Sequence, residues 1–319
     1  MGIQQTLLRG LAPPPIIQWY GSRGVFIGGR DPGFSDTMDY VTIASAGSAS
    51  NFGDISTGTS QCTGFSGGLS AARGVFKGSS PTSPTANASG RIEYITIAST
   101  GNSSSFGFLQ NPKTRNGGCS NGTRGLFMGG GNPGINDIEY VTIDSAGDAT
   151  NFGNLTVSRF GPTGNSNGTR GVFGGGNTGN PSNQDRNTID YVTIATTGNA
   201  SDFGDLTVAR FEAAGFTGGD RGCWAAGGAN AAREEIDYVT ITSTGNATDF
   251  GDLNRADENG PGGNSNNSRG LIGGGRVAPA ATATIRYVTI STTSNTSSFG
   301  NLTQARTRLG TTGCAGGAV

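Results

Sequence analysis

Apolar residues along this chain fall into two blocks that alternate, separated by polar stretches rich in glycine. The first is "RGVFIGG" at residues 23–29. The second is "DYVTIA" at 39–44, followed by a turn cluster and then "NFGDI". The pair recurs six times. Arginines open the first block at Arg23, Arg73, Arg124, Arg170, Arg221 and Arg269. The tyrosine of the second block falls at Tyr40, Tyr94, Tyr140, Tyr191, Tyr238 and Tyr287, and the following "FG" begins at Phe52, Phe106, Phe152, Phe203, Phe250 and Phe299. Tyr-to-Phe spacing is 12 in every copy, and the tyrosine-to-tyrosine steps are 54, 46, 51, 47 and 49. Length alone suggests about two domains. A fixed period replaces that count with one array.

Each copy predicts four short antiparallel strands. "RGVFGGG" is a β segment ended by glycines that permit a sharp turn. "IDYVTIA" is rich in the residues that fit a pleated surface. "TTGNAS" is a turn cluster, and "DFGDLTVAR" is the next strand. A glycine-rich stretch such as "GPTGNSNG" leaves room for one more strand before the next Arg-Gly. No window carries helical i, i+3, i+4 spacing over a useful length. Four strands per unit of about 50 residues is the pattern of a β-propeller blade. The distribution of bulk agrees. Small residues occupy the segments expected near an axis, where blades converge, and Tyr, Val, Ile, Phe and Leu occupy the segments further out.

Composition narrows the chemistry. There are 58 glycines in 319 residues and no histidine, and the formal charge is −1. Apolar residues at fixed places in every copy argue against a disordered glycine-rich tract. The balanced charge offers no basic stripe for nucleic acid. No apolar run is long enough to span a bilayer, and "MGIQQTLLRG" does not read as a secretory signal. Without histidine the commonest general base and transition-metal ligand is missing, and no Ser-His-Asp set can form. The cysteines at 62, 119, 223 and 314 make no C-x-x-C pair, so no zinc site is expected. They read as free, half-buried thiols. Only the fourth and fifth "FG" motifs carry both acids, Asp202 with Asp205 and Asp249 with Asp252, which favours a turn and strand-end role over calcium. The acid before the tyrosine (Asp39, Glu93, Glu139, Asp190, Asp237) is expected to face the arginine of the preceding strand in an exposed pair, although the sixth copy has Arg286 there. N-x-[ST] sequons such as those at Asn199, Asn246 and Asn301 follow from turn chemistry. No cofactor and no metal site is predicted.

The blocks resemble the kelch repeat. "GVFIGG" is similar to that family's strand ending in a double glycine, and Phe52 and its equivalents stand where kelch repeats usually place a tryptophan. Arg115, Arg159, Arg210 and Arg306 resemble the arginine that follows. The second copy departs from the pattern with "KGSS" at 77–80, and the fifth with Cys223-Trp224. Some kelch-family enzymes oxidise sugars at a copper site built on histidine, which this chain cannot supply. More narrowly, "RGVFGGG…IDYVTIATTGNASDFGDLTVAR" resembles kelch-like repeats carried by virion proteins of marine cyanobacterial phages, over about 290 residues. The fold class expected is all-β: a six-bladed kelch-like β-propeller over residues 23–319, with residues 1–22 as an extended N-terminal arm bearing "PPP" at 13–15. Ring closure is expected from residues 305–316 completing the first blade, the alternative strand being "IIQWYGS" at 16–22.

Arg-to-Tyr spacing varies (17, 21, 16, 21, 17 and 18) while Tyr-to-Phe spacing does not. One face of the disc should therefore be uniform, and the other should carry individual loops alongside the blade-to-blade links. Variable loops on a rigid scaffold are where binding usually lives. The candidate binding residues there are Arg30, Asp31, Phe34, Arg91, Asp185, Arg186, Arg233 and Glu234. The resemblance implies a non-enzymatic virion protein, a tail, fibre or surface-decoration component made in the host cytoplasm. Its arm would hold other virion proteins, and its loop face would meet a host-surface glycan or receptor. The alternatives are a polysaccharide-processing enzyme using loop carboxylates such as Asp31, Asp185 or Glu234, and a structural spacer.

Overall fold

In the fourth copy, Thr163–Ser166, Arg170–Gly174, Thr188–Thr193 and Ser201–Asp205 pair in that order into one antiparallel sheet. The double glycine ends the second strand because Gly175 (φ +72°) and Gly176 (φ +109°) adopt backbone conformations that side chains disfavour. In the second copy the same place reads Lys77-Gly78-Ser79, and the strand runs on as Arg73–Ser79. The computed structural model describes residues 22–67, 73–79, 90–228, 233–257, 260–277 and 279–311. Among these every helix or strand element is a strand, and the strand pairings are antiparallel. The N-terminal arm, the rival closing segment 16–22 apart from Ser22, and Cys314 lie outside the described residues.

The molecule is an all-β, propeller-like arrangement of antiparallel sheets. Four sheets have four strands each. The first two copies are not separate. Gly310–Thr311, Arg23–Ile27, Ser35–Thr42, Ser50–Gly67, Arg73–Ser79, Arg91–Thr96 and Ser104–Phe108 form one seven-stranded sheet. The expectation of six separate four-stranded units is corrected here. The cause is Ser50–Gly67, 18 residues long, which serves as the last strand of the first copy and the first strand of the second. Later copies interrupt this path; in the third, Phe160-Gly161-Pro162 intervenes, and proline has no N–H to give a ladder. The first copy has Ser60-Gln61-Cys62 and keeps pairing. The C-terminal strand Gly310–Thr311 pairs with Arg23–Ile27, Phe26 opposite Thr311.

The constant "FG" has a double cause. In all six copies the Phe is the extra residue of a β-bulge: in the fourth, Asp202 pairs with Asp190 and Gly204 with Ile189, leaving Phe203 between. The bulge turns the Phe ring edge-on to the tyrosine of the same hairpin, with centroids 5.9–6.1 Å apart in every copy. The glycine then lies against the turn of the next copy's hairpin. A Cβ would stand 2.3 Å from the Gly101 oxygen at Gly53, 2.1 Å from the Gly147 oxygen at Gly107, and 2.2 Å from the Gly47 oxygen at Gly300. At Gly204 (φ +144°) it would stand 2.5 Å from the Gly245 carbonyl. Gly204→Ala is therefore expected to cost about 1–3 kcal/mol in urea unfolding; an unchanged midpoint would contradict this packing.

Burial is organised between copies rather than within them. Six apolar clusters each join two copies. Val172, Ile189 and Phe203 of the fourth meet Trp224, Val239 and Ile241 of the fifth. Phe26, Val41 and Ile43 of the first meet Leu271, Ile285 and Phe299 of the last. The Arg that opens each first block lies over the tyrosine ring of its own copy, 4.2–4.8 Å from the centroid. It also donates to a carbonyl at the end of the next copy's tyrosine strand: Arg170 to Ile241 and Thr242, and Arg269 to Ile43 and Ala44.

These arginines are not the partners of the acids. Asp190 pairs with Arg159 at 3.0 Å, Asp237 with Arg210 at 3.2 Å, Glu139 with Lys113 at 3.0 Å, and Asp39 with Arg306. In these pairs the cation stands seven residues past the Phe of another copy, and each side chain is at most 1% exposed. The expectation of exposed pairs with the preceding strand is corrected on both counts. Glu93 has no such cation; it accepts from Ser56 and Ser103 and pairs with Arg91. Arg115 is displaced from the role that the resemblance implied, because Lys113 holds that position.

Candidate functional site

The chain reaches the centre of the molecule six times, and each time one residue adopts a left-handed backbone. These residues are Gln61 (φ +55°), Arg115 (φ +54°), Gly161 (φ +64°), Glu212 (φ +52°), Gly260 (φ +63°) and Arg308 (φ +56°). Each stands nine residues past the "FG" phenylalanine of a copy, ten in the fifth. Backbone hydrogen bonds run between them. Gly161 N–H donates to the Arg115 carbonyl, Glu212 N–H to Gly161, and Gln61 N–H to Arg308. A non-glycine residue in this region is uncommon and calls for compensation; here the inter-copy hydrogen bonds supply it. The inner strands that follow line one central cavity of about 80 Å³, to which all six copies contribute.

Charge is concentrated at its rim. The Glu212 carboxylate lies between two guanidinium groups, 3.4 Å from Arg115 Nε and 3.6 Å from Arg308 Nε. With the Gln61 amide turned so that its oxygen faces the guanidinium, that oxygen accepts from Arg115 Nε at 2.6 Å and Nη2 at 2.9 Å. The Arg115 guanidinium also covers the Phe160 ring at 4.9 Å. Burial pulls the Arg115 pKa down and Glu212 pulls it back up. Neither Glu212 oxygen has a hydrogen-bond donor among the described residues, and the side chain is only 9% exposed. Asn116, on the cavity wall, is buried with neither amide atom bonded there.

Arg308 also lines a second space, an open cleft of about 340 Å³. Its other walls are Arg30, Asp31 and Pro32 from the first copy's loop, and Arg276, Pro279 and Ala281 from the last copy's. The latter loop is held by the short hairpin of Arg276–Val277 with Ala280–Ala281. Loops and links share this face. Arg30 N–H donates to Thr307, Gly131 to Thr114, Phe160 to Asn177 and Gly228 to Phe211.

Of the residues expected at a loop-face site, the structure brings Arg30, Asp31 and Phe34 together. Arg30 lies 5.5 Å over the Phe34 ring, and Phe34 is 41% exposed. Asp185 accepts from Asn177 Nδ2 at 2.7 Å in the fourth copy's loop, and Arg186 beside it is half-buried. Arg91 is in a separate cavity of about 140 Å³ with Glu93. Arg233 is half-buried and Glu234 exposed on the fifth copy's strand. Sequence reasoning missed Gln61, Glu212, Arg276 and Arg308. For Gln61, Glu212 and Arg308 the signal was present at one repeat position, where chemistry changes from copy to copy while the distance from the Phe stays almost fixed; Arg276 belongs instead to the last copy's variable loop.

The remaining reactive groups are withdrawn. Cys62, Cys119 and Cys223 are buried, and burial pushes the Cys62 thiol up to about 12 and raises that of Cys223 further. Among the described residues no group of three His, Cys, Asp or Glu side chains could hold a metal ion. Among the described residues no helix is long and apolar enough to cross a membrane. The fold and this face define a propeller-like repeat protein with a charged central rim. No protein-family model matches the chain, and no curated protein matches it.

Proposed function

We propose that the chain is a six-bladed, kelch-like propeller closed by its C-terminal strand, and that it is a non-enzymatic component of a phage particle. In this reading the seven-stranded sheet is two blades sharing Ser50–Gly67, bent at Gln61. Support for closure comes from contacts that wrap from the last copy to the first in the form they take elsewhere: the apolar cluster of Phe26 with Phe299, Arg269 on the Ile43 and Ala44 carbonyls, and Gly300 against Gly47. The disc would serve in a tail or fibre, or as a surface decoration. Its N-terminal arm would hold other virion proteins, and its loop face would meet a host-surface glycan or protein.

The observation that carries this reading is the asymmetry of the two faces. The hairpin face repeats the same contacts in every copy. The loop face differs from copy to copy and gathers Arg30, Arg276, Arg308 and Glu212 around openings. Of the acids that an enzyme would need, Asp31 lines the cleft, Asp185 lies in the fourth copy's loop and Glu234 on the fifth copy's strand. None of the cavities described above is lined by two of them, which favours binding over hydrolysis. The test is labelling intact particles with antibody raised against the purified chain. Label at the tail, fibres or capsid surface is expected; its absence from purified particles would reject the virion assignment.

A further inference from the structure

We propose that the cleft between the first and last copies binds the anionic group of an acidic saccharide, a sulfate ester or a uronate carboxylate, through Arg30, Arg276 and Arg308. The inference rests on the reading that the loop face meets a host-surface glycan, and it names the chemical class. Most arginines of this fold are already committed. Arg159, Arg210 and Arg306 are buried against carboxylates, and the arginines of the first block donate to carbonyls. The cleft arginines differ. Arg30 uses Nε on the Pro32 carbonyl at 3.2 Å and lies on the Phe34 ring, which orients the fork and leaves both Nη groups unbonded among the described residues. Arg276 is exposed, carried by a short hairpin, and makes no side-chain hydrogen bond or ion pair among the described residues. Arg308 approaches Glu212 only through Nε, at 3.6 Å.

Three guanidinium groups line a cleft of about 340 Å³; Asp31 is the one acid among the described residues on its wall, and Glu212, shared between Arg308 and Arg115, only partly offsets Arg308, so the cleft stays positive. That volume falls within the usual range of small-molecule sites. The guanidinium fork matches the paired oxygens of sulfate and carboxylate. Glu212 sets the polarity of the site. Through Arg308 it adjoins the cleft, and its buried carboxylate places negative charge behind that guanidinium. That charge disfavours a second anion beside the first. The arrangement therefore suits one acidic group in the cleft, between Arg30 and Arg276.

The test is calorimetric titration of the full chain with four probes: a sulfated oligosaccharide, a uronate oligosaccharide, a neutral oligosaccharide of the same length, and inorganic sulfate. At least one acidic oligosaccharide is expected to bind about tenfold or more tighter than the neutral one, and to weaken as salt is raised. Binding of the sulfated probe alone would assign a sulfate ester, and of the uronate alone a carboxylate. Arg30→Ala and Arg276→Ala, both at exposed positions, should each weaken it roughly tenfold with thermal midpoints unchanged. Equal binding of the neutral probe, wild-type affinity in both variants, or no binding of either acidic probe would overturn the proposal. Inorganic sulfate binding as tightly as the saccharides would overturn the saccharide assignment. If the chain binds host cells but no acidic saccharide, only this inference falls. If it binds acidic saccharides but not cells, the attachment reading falls instead.

Discussion

Arg306→Ala is expected to lower the unfolding free energy by about 3–5 kcal/mol, the cost of removing one partner of a buried ion pair. Arg306 is 1% exposed. It holds the Asp39 carboxylate and donates to the Gly28 and Thr37 carbonyls at 2.7 Å each. Its loss leaves a buried carboxylate and two carbonyls without this donor, and each such group carries a desolvation cost. Arg306 follows the last "FG", whereas Asp39, Gly28 and Thr37 belong to the first copy. The variant thus reads the contact between the ends of the array. If those ends were apart in solution, Arg306 would be a surface residue and its removal would cost under about 1 kcal/mol. Arg306→Ala with Asp39→Ala should cost less than the two single changes added together, because the double variant buries no unpaired charge. Urea unfolding of the four proteins measures both quantities.

Lys77→Met is expected to stabilise the protein by a few kcal/mol near neutral pH, and the gain should fade as pH rises. Burial, reinforced by the like charge of Lys113, lowers the Lys77 pKa from its ordinary 10.5 to about 7, while Cys62 and Glu139 pull it back up. An unfolded chain keeps the proton up to about 10.5, whereas the folded chain gives it up above about 7. Unfolding takes up a proton between those values, so this residue's contribution to stability is lowest below pH 7 and rises through the window. Methionine removes the burden without leaving a cavity. Its cost is the hydrogen bond from Lys77 Nζ to the Lys113 carbonyl. Unfolding free energies at pH 6.5 and pH 9.5 should show the larger gain at the lower pH. A gain independent of pH would mean that Lys77 keeps its proton on folding, with a pKa that burial has not lowered.

The blocks that form strands were legible because both faces of each sheet are covered by other copies, which forces apolar residues at "RGVF" and "DYVTI" regardless of position in the array. The Tyr-to-Phe spacing was legible as a hairpin, but not the bulge at the Phe, since a bulge adds a residue without changing residue type. Partners of the acids were not legible. Asp190 and Arg159 are 31 residues apart and meet only when two copies come together. The arginine nearest in sequence, Arg170, is taken up by Tyr191 and the Ile241 carbonyl. Counting from the Phe, rather than matching residue types, would have chosen Lys113 over Arg115. The same count gives a reason for Arg286: the sixth copy has arginine at the acid's place, and Asp257 stands where the fourth copy's "FG" strand has Arg210, so the sequence exchanges the two signs. The charged rim was hidden because Arg115, Glu212 and Arg308 occupy a left-handed conformation that their side chains do not predict.

The central claim is that attachment is made by the loop face and not by the hairpin face. Gly33 lies in the first copy's loop and Gly198 in a hairpin turn, and a side chain at either would meet nothing within 4 Å. Cysteine introduced at each, with Cys314 changed to serine and the buried thiols out of reach, allows a polyethylene glycol chain to be attached to one face at a time. Binding of the labelled proteins to host cells is the measurement. A chain on Gly33→Cys should abolish binding while a chain on Gly198→Cys leaves it at the unlabelled level. Loss of binding with the label at residue 198 and retention with the label at residue 33 would contradict the account.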